Sequence, residues 1–387
     1  MNLSDRDAAH SNARLIIRPD VMVGNLKRLR HAFPDLFFFG VLKANAYGLG
    51  AKRIAPLLED YVDGFAVATA QEAFALRDAG VQKPILSFGY VEPKDIIAMV
   101  EQGVRPAVDS FALAEAFSKA AQRCGKKAAI HLAVDTGHQR IGFIAGAEEN
   151  RAIYEKIAKL PNLLIEGTYS HLSTSDEADT SFTLEQVARF TAEIAVQQAA
   201  GLQPTICHLA NSGGLLAHGS ETHFSGVRIG DGIYGLYTSS VVQEKSPVEL
   251  QTSFRWEATI SNVKQISAGT SVGYGRTWVA PKDTRLATVQ VGYADGYPRS
   301  LSNCGTVLIH GVSCPIRGRV CMDQMMVEDR SGKAAIGDSA ILFGTCPETG
   351  ATLDHFTFEE QSGTILQETL VHIADRVERI YETEDGK

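Results

Sequence analysis

A lysine closes an apolar run in Val41-Leu42-Lys43-Ala44-Asn45-Ala46-Tyr47-Gly48-Leu49-Gly50, with small residues and glycines directly after it. An ammonium at the end of a buried strand costs free energy unless it is paired or used covalently. Schiff-base formation is one such use, because the site makes the amine nucleophilic. The plainer reading is a lysine snorkelling at a strand end. Two glycine-bearing runs, Ala210-Asn211-Ser212-Gly213-Gly214 and Arg228-Ile229-Gly230-Asp231-Gly232, would let backbone N–H groups approach a phosphate dianion, with Ser212 adding a hydroxyl; they would serve equally as tight turns. Arg140 offers a guanidinium fork suited to a carboxylate. His208, His218 and His223 lack metal-ligand spacing, so no metal is expected.

These residues need a frame that brings them together. Eight short apolar runs alternate with amphipathic stretches such as 110–123 and 183–200. The runs are 36–42, 65–69, 84–88, 105–108, 129–134, 164–169, 206–209 and 224–229. Continuous apolar runs suit strands buried on both faces, and the alternation predicts an α/β fold with an N-terminal (β/α)8 TIM-type barrel. Active sites of such barrels form at the C-terminal strand ends. Lys43 follows the first run, Asp135 and Arg140 the fifth, His171 the sixth and Asn211-Ser212 the seventh, while Arg228-Ile229-Gly230 ends the eighth. After Tyr237 the pattern changes to alternating runs broken by Gly and Pro: 248–266, 286–293, 305–309, 315–327 and 339–343, with a helix expected over 358–370. The division predicted is a barrel over 12–238 and a C-terminal all-β domain over 239–387, with residues 1–11 open to joining the latter.

The 387 residues suit two domains, and 44% hydrophobic against 21% charged allows a large core. A net charge of −8 argues against a nucleic-acid partner. No apolar segment reaches the roughly 18 residues of a membrane span, and the N-terminus is polar. Six cysteines without C-x-x-C spacing read as reduced thiols, so a cytoplasmic protein is expected.

The Val41–Gly50 run resembles the cofactor-lysine motif of the alanine racemase family, and the resemblance extends from Gly24-Asn25 to Arg376. Three later runs carry it further: Val272-Gly273-Tyr274-Gly275, Val291-Gly292-Tyr293-Ala294-Asp295-Gly296 and Gly318-Arg319-Val320-Cys321-Met322-Asp323. The resemblance implies an amino-acid racemase, an isomerase, with pyridoxal 5'-phosphate held by Lys43. It implies that Tyr47, Ser212, Gly230 and Asp231 lie about the phosphate, that Arg228 faces the pyridine nitrogen, and that His171 touches the ring. Lys43 then serves one face of the substrate and Tyr274, from the partner subunit of a homodimer with composite sites, the other. Arg140, Met322 and Asp323 would border the substrate carboxylate, and Tyr293 would narrow access.

Two positions depart from the family pattern. Ala133 stands where many members carry a carbamylated lysine that orients the arginine matching Arg140; a chloride near Arg140 is expected to fill the gap, since an unpaired buried arginine is costly. Asp375 stands where tyrosine is usual, which favours a serine or broader-specificity racemase as the alternative to alanine. A barrel-fold pyridoxal-phosphate decarboxylase and a non-catalytic carrier are the rival classes. The pathways the resemblance admits are D-alanine supply to the cell wall, D-serine supply to a modified wall, and D-amino-acid catabolism.

Overall fold

The computed structural model describes residues 12–382, so the expectation for residues 1–11 lies outside the described residues. The described residues divide into two compact units: Met22–Ala46 with Gly50–Gln251, and 12–21 with Tyr47–Leu49 and 252–382. This differs from the division expected at 12 and 238, and the reason lies in the first strand. Strand β1 (Ala13–Ile17) pairs antiparallel with β11 (Phe254–Ile266), so the N-terminal segment belongs to the C-terminal sheet.

The barrel strands are β2 (Phe37–Val41), β3 (Gly64–Val67), β4 (Ile85–Ser87), β5 (Val104–Val108), β6 (Ala128–Asp135), β8 (Leu163–Tyr169), β9 (Ile206–His208) and β10 (Gly226–Ile229). A two-residue strand, β7 (Phe143–Ile144), sits on the outgoing arm of the loop after β6. Pairing runs in parallel from β2 to β10, and β10 pairs β2, closing the barrel. Each expected run overlaps one of these strands: β2, β4, β9 and β10 lie within their runs, and β3, β5, β6 and β8 begin one residue earlier. In β3 and β4 every residue is buried, the outcome anticipated for strands covered on both faces.

Side-chain caps fix the helix starts. Thr69 accepts from Glu72 N, and the Glu72 carboxylate accepts in return from Thr69 N, a capping box heading the helix Ala70–Asp78. Ser110 caps Phe111–Cys124, and Gly125, at φ 63°, closes it. One core cluster joins Val108, Ile130 and Leu132 to Phe143, Tyr154 and Ile157, at about 1.5–3 kcal/mol for each large apolar side chain buried.

In the second unit the sheet runs β16 (Val312–Pro315), β15 (Thr306–Ile309), β18 (Ser339–Thr345), β11, β1 and β20 (Glu378–Tyr381). Strand β14 (Thr284–Val289) pairs the far half of β11 beyond a register shift at Ile260/Asn262, and β17 (Met325–Glu328) pairs β14. Trp256 and Tyr297 meet edge-on at 5.5 Å and Phe254 stacks on Phe343 at 5.2 Å, forming this unit's aromatic core. Two expectations are corrected. The helix over 358–370 is two helices, His355–Ser362 and Leu366–Val371, parted by Gly363 in the left-handed region at φ 75°. The run 315–327 is no continuous strand: β16 ends at Pro315 and β17 begins at Met325, leaving Arg319–Asp323 as a loop.

Candidate active site

Immediately after Lys43 the backbone makes a left-handed turn. Ala44, Asn45, Ala46 and Tyr47 all have φ between 52° and 56°. Left-handed helical geometry costs L-residues about 1–2 kcal/mol each, because Cβ crowds the following carbonyl; asparagine tolerates it better than alanine or tyrosine. Local bonds hold the turn. Ala46 N donates to Leu42 O at 2.9 Å, Gly50 N to Asn45 O at 2.9 Å and Ala51 N to Asn45 Oδ1 at 2.8 Å. At its start, Ala44 N donates to Glu72 Oε1 at 2.7 Å.

Lys43 is exposed at the barrel mouth. Nearby protein still removes enough water from its amine to lower its pKa below the ordinary lysine value; Arg140 and Arg228 push the same way, and Asp231 and Glu72 oppose. A larger share of neutral amine at neutral pH is what a nucleophilic lysine requires.

Arg228, on β10, is buried and donates to five acceptors. Nη1 reaches His208 O at 2.9 Å and His208 Nδ1 at 3.0 Å. Nη2 reaches Ser170 O and Leu209 O at 2.8 Å each, and His171 Nδ1 at 3.0 Å. Burial draws the guanidinium down to about 10, so it stays charged at neutral pH. Because arginine can only donate, Nδ1 of both imidazoles must accept, and both rings are neutral. Burial, and then the Arg228 charge, set the pKa of His171 and of His208 well below the usual histidine value.

The chain of bonds continues down the barrel. His208 Nε2 lies 2.9 Å from His131 Nδ1, His131 Nε2 lies 3.1 Å from Glu166 Oε2, and Arg105 grips Glu166 at 3.0 and 3.2 Å. Burial pushes the Glu166 carboxyl up, but bonds from His131 and Arg105 overcome this and hold it at about 2. A depressed folded-state pKa contributes stability above the unfolded value near 4.5, and that stability is lost as pH falls towards 2. Glu166→Ala is therefore expected to cost about 3–5 kcal/mol at pH 7 and to flatten the acid limb of stability below pH 4.5. Chemical denaturation of both proteins across that range checks this; parallel acid limbs would refute it.

The phosphate-type loops meet at one hydroxyl. Ser212 is buried and its Oγ accepts from Gly230 N at 3.1 Å and Gly232 N at 3.2 Å, so its own proton is left to donate. Asn211 caps the turn by accepting from Gly214 N at 2.9 Å. A Cβ at Gly213 would stand 2.9 Å from the buried, unpartnered Thr238 Oγ1, so only glycine leaves the cradle open. Asp231, half-buried, heads the next helical turn. The set of a lysine amine, a serine hydroxyl with its proton to donate and a guanidinium, on loops whose glycines leave room for close approach, fits a phosphorylated aldehyde cofactor.

The loop after β6 carries Arg140. Asp135 Oδ1 accepts from Gly137 N at 2.8 Å and Gln139 N at 3.1 Å, which shapes the loop, and Arg140 itself is exposed. Ala133 pairs in register with Tyr169, and both pack with Ala107 beside Phe88 and Ile141. The position thus holds an apolar cluster where a charged lysine was weighed. Arg140 is not buried in the single chain, so burial alone makes no demand for an anion there.

Sequence reasoning missed Gln186. Its Nε2 donates to His171 O at 2.9 Å and Thr136 Oγ1 at 3.1 Å, and its Oε1 accepts from Ser173 N at 2.8 Å. It ties together the loops that carry Arg140 and His171. The signal was present: Thr183, Gln186, Glu193 and Gln197 share helical spacing with Phe190 and are all buried, so this helix of nineteen residues turns a polar stripe inward.

The second unit gathers the remaining candidates. Gly292 lies so close to Cys321 O and Met322 O that a Cβ would stand 2.3 Å from each, which lets Tyr293 N and Ala294 N bond those carbonyls. Arg376 donates to Asp295 Oδ1 at 2.7 Å and Asp323 Oδ1 at 2.8 Å, joining the Tyr293 and Met322-Asp323 runs to the turn that carries Asp375. Arg379 grips the carbonyls of Ile373, Ala374 and Val377, leaving Asp375 exposed. Tyr274 sits between Gly273 and Gly275, both at positive φ and both against the Gly318-Arg319 turn, and is 71% exposed. Tyr47 is buried, and the next two carbonyls accept from Arg379 and Tyr381.

Residues 17–238 match the family model "Alanine racemase, N-terminal domain" and residues 253–381 match "Alanine racemase, C-terminal domain". The alanine racemase of Methanococcus maripaludis is 37% identical over 360 residues, covering 92% of this chain and 95% of that one. That of Carboxydothermus hydrogenoformans is 38% identical over 374 residues, covering 94% and 100%. Among solved structures, the Clostridium difficile alanine racemase superposes with a TM-score of 0.88 at 32% identity, covering 96% of each chain. The Bartonella henselae alanine racemase with covalently bound pyridoxal phosphate gives 0.84 at 30% identity, covering 96% and 100%.

Proposed function

The chain belongs to the alanine racemase family of pyridoxal-phosphate-dependent isomerases, and on that premise we propose that Lys43 and Tyr274 are the two proton-transferring groups, one for each face of the substrate. Bound pyridoxal phosphate supplies electron withdrawal that acidifies the substrate's α C–H. All other requirements fall to the chain's own residues. Lys43 binds the cofactor and takes or returns a proton on the D face, while Tyr274 does so on the L face. Arg228 would set a fixed positive charge toward the pyridine nitrogen, and His171 would border the ring. Ser212, Tyr47 and the backbone at Gly230 and Asp231 hold the phosphate. Arg140 orients the substrate carboxylate, bordered by Met322 and Asp323, and Tyr293 narrows the way in. The observation that carries this reading is the Lys43 amine, lowered in pKa at the barrel mouth beside Arg140, Asp231 and Arg228.

The reading includes a homodimer with composite sites. Its support is the exposure of Tyr274, Tyr293 and Met322 together on the second unit, a concentration of large apolar side chains that suits a covered surface. A chloride beside Arg140 is part of the proposal for the assembled dimer, in place of the charge Ala133 does not supply. A rise in thermal midpoint with chloride but not with a larger anion supports it; equal midpoints in both overturn it. Among the described residues no helix is long and apolar enough to cross a membrane.

Alanine is the substrate. Serine is the second reading, favoured by the exposed Asp375 on a turn that Arg376 ties to Asp323. The test is α-proton exchange in deuterated water with both isomers of alanine and serine. Exchange and inversion of alanine are expected, with serine above a thousandth of the alanine rate. Carbon dioxide release without inversion would point to a decarboxylase, and no exchange to a carrier.

A further inference from the structure

The Glu72 carboxylate has more partners than its helix cap needs. One oxygen, Oε2, accepts from Ala68 N at 2.7 Å and Thr69 N at 3.2 Å, which completes the cap at the end of β3. The other, Oε1, accepts from Ala44 N at 2.7 Å, in the loop after the neighbouring strand β2. One side chain thus spans two adjacent loops of the barrel mouth. Its second bond lands on the first residue of the left-handed turn that follows Lys43. Asn45 anchors the far side of that turn through its carbonyl and its side chain, but neither bond restrains Ala44. Ala44 has a Cβ and no polar side chain of its own to favour a positive φ.

We propose that Glu72 is a positioning residue for Lys43: by holding the Ala44 amide it stabilises the left-handed turn and fixes the direction in which the lysine leaves β2. The proposal rests on Lys43 as the cofactor-bearing residue. Misplacing a reacting group by about an ångström can cost on the order of a hundredfold in rate, so a lost anchor one residue away matters. A glutamine at this position has a single acceptor oxygen, so it can serve Ala44 or the cap amides but not both. Glycine at position 44 adopts positive φ without penalty and removes the need for the clamp.

The experiment compares Glu72→Gln, Thr69→Ala, Ala44→Gly and the double variant Glu72→Gln/Ala44→Gly as holoenzymes. Glu72→Gln is expected to lower kcat ten- to a hundredfold with KM changed less than threefold, and to shift the pH titration of the cofactor absorbance. Ala44→Gly in that background should recover kcat to within about threefold of wild type. Thr69→Ala, which weakens the cap but leaves the Ala44 bond, should lower the thermal midpoint without moving kcat or the titration. Hydrogen exchange over residues 43–50 in the cofactor-free protein should quicken in Glu72→Gln. An unchanged kcat and titration in Glu72→Gln, or no recovery with glycine at 44, overturns the proposal and leaves Glu72 as a cap alone. Failure of the underlying reading looks different: Lys43→Ala would then still show a borohydride-trapped cofactor.

Discussion

Tyr274→Phe is expected to reduce turnover of L-alanine by about 10²–10⁴-fold, the usual worth of a positioned general base, while D-alanine still exchanges its α-proton with solvent. The asymmetry follows from geometry. The phenol proposed for the L face lies on an exposed turn of the second unit, and the amine proposed for the D face lies on the barrel. Removing the hydroxyl leaves the Lys43 environment of Arg140, Arg228 and Asp231 untouched. Exchange from each isomer in deuterated water, followed by proton NMR, measures the two faces separately. Equal loss from both isomers would mean that Tyr274 organises the site without carrying a proton.

Lys43→Ala should be more severe. On the proposed roles it removes the covalent anchor and the D-face base together, and racemisation should fall by at least about 10⁴-fold. Borohydride reduction followed by peptide mass mapping should label Lys43 in the wild type and no lysine in the variant; label on another lysine would sink the assignment. Ser212 and Arg228 would still bind the cofactor non-covalently, so its retention alone is uninformative. Mixing the two variants tests the composite site. A heterodimer of the Lys43→Ala and Tyr274→Phe chains holds one site with both defects and one with neither, so refolded mixtures should regain about a quarter of wild-type activity. No regain would place both groups in one chain.

The barrel was legible because strands buried on both faces read as unbroken apolar runs, and each of the eight barrel strands overlaps its expected segment. Membership of β1 was not legible: five residues of Ala-Arg-Leu-Ile-Ile suit either sheet, and pairing with β11 is decided some 240 residues away. The helix break at Gly363 is not legible from its neighbours, since a lone glycine in a helical pattern is often tolerated. At the site, residue types that do chemistry stood out, but their supports did not. Glu72 reads as a helix cap and Gln186 as one polar residue in an amphipathic stretch, and the second partner of each comes from a remote strand end. The left-handed turn was hidden too, because Ala-Asn-Ala-Tyr contains no glycine to announce positive φ.

The bonds beneath Arg228 have a direction. Arg228 can only donate, so His208 must point its proton at His131, and His131 must point its own at Glu166. None of these protons can be reversed without turning an N–H against an N–H or protonating a carboxylate held at about 2. The interior below the site therefore behaves as an electret, its polarisation set when the barrel closes and unaltered through each turnover. A row of bonds that cannot reverse cannot relay a proton, so this one gives the site no proton route to the floor of the barrel.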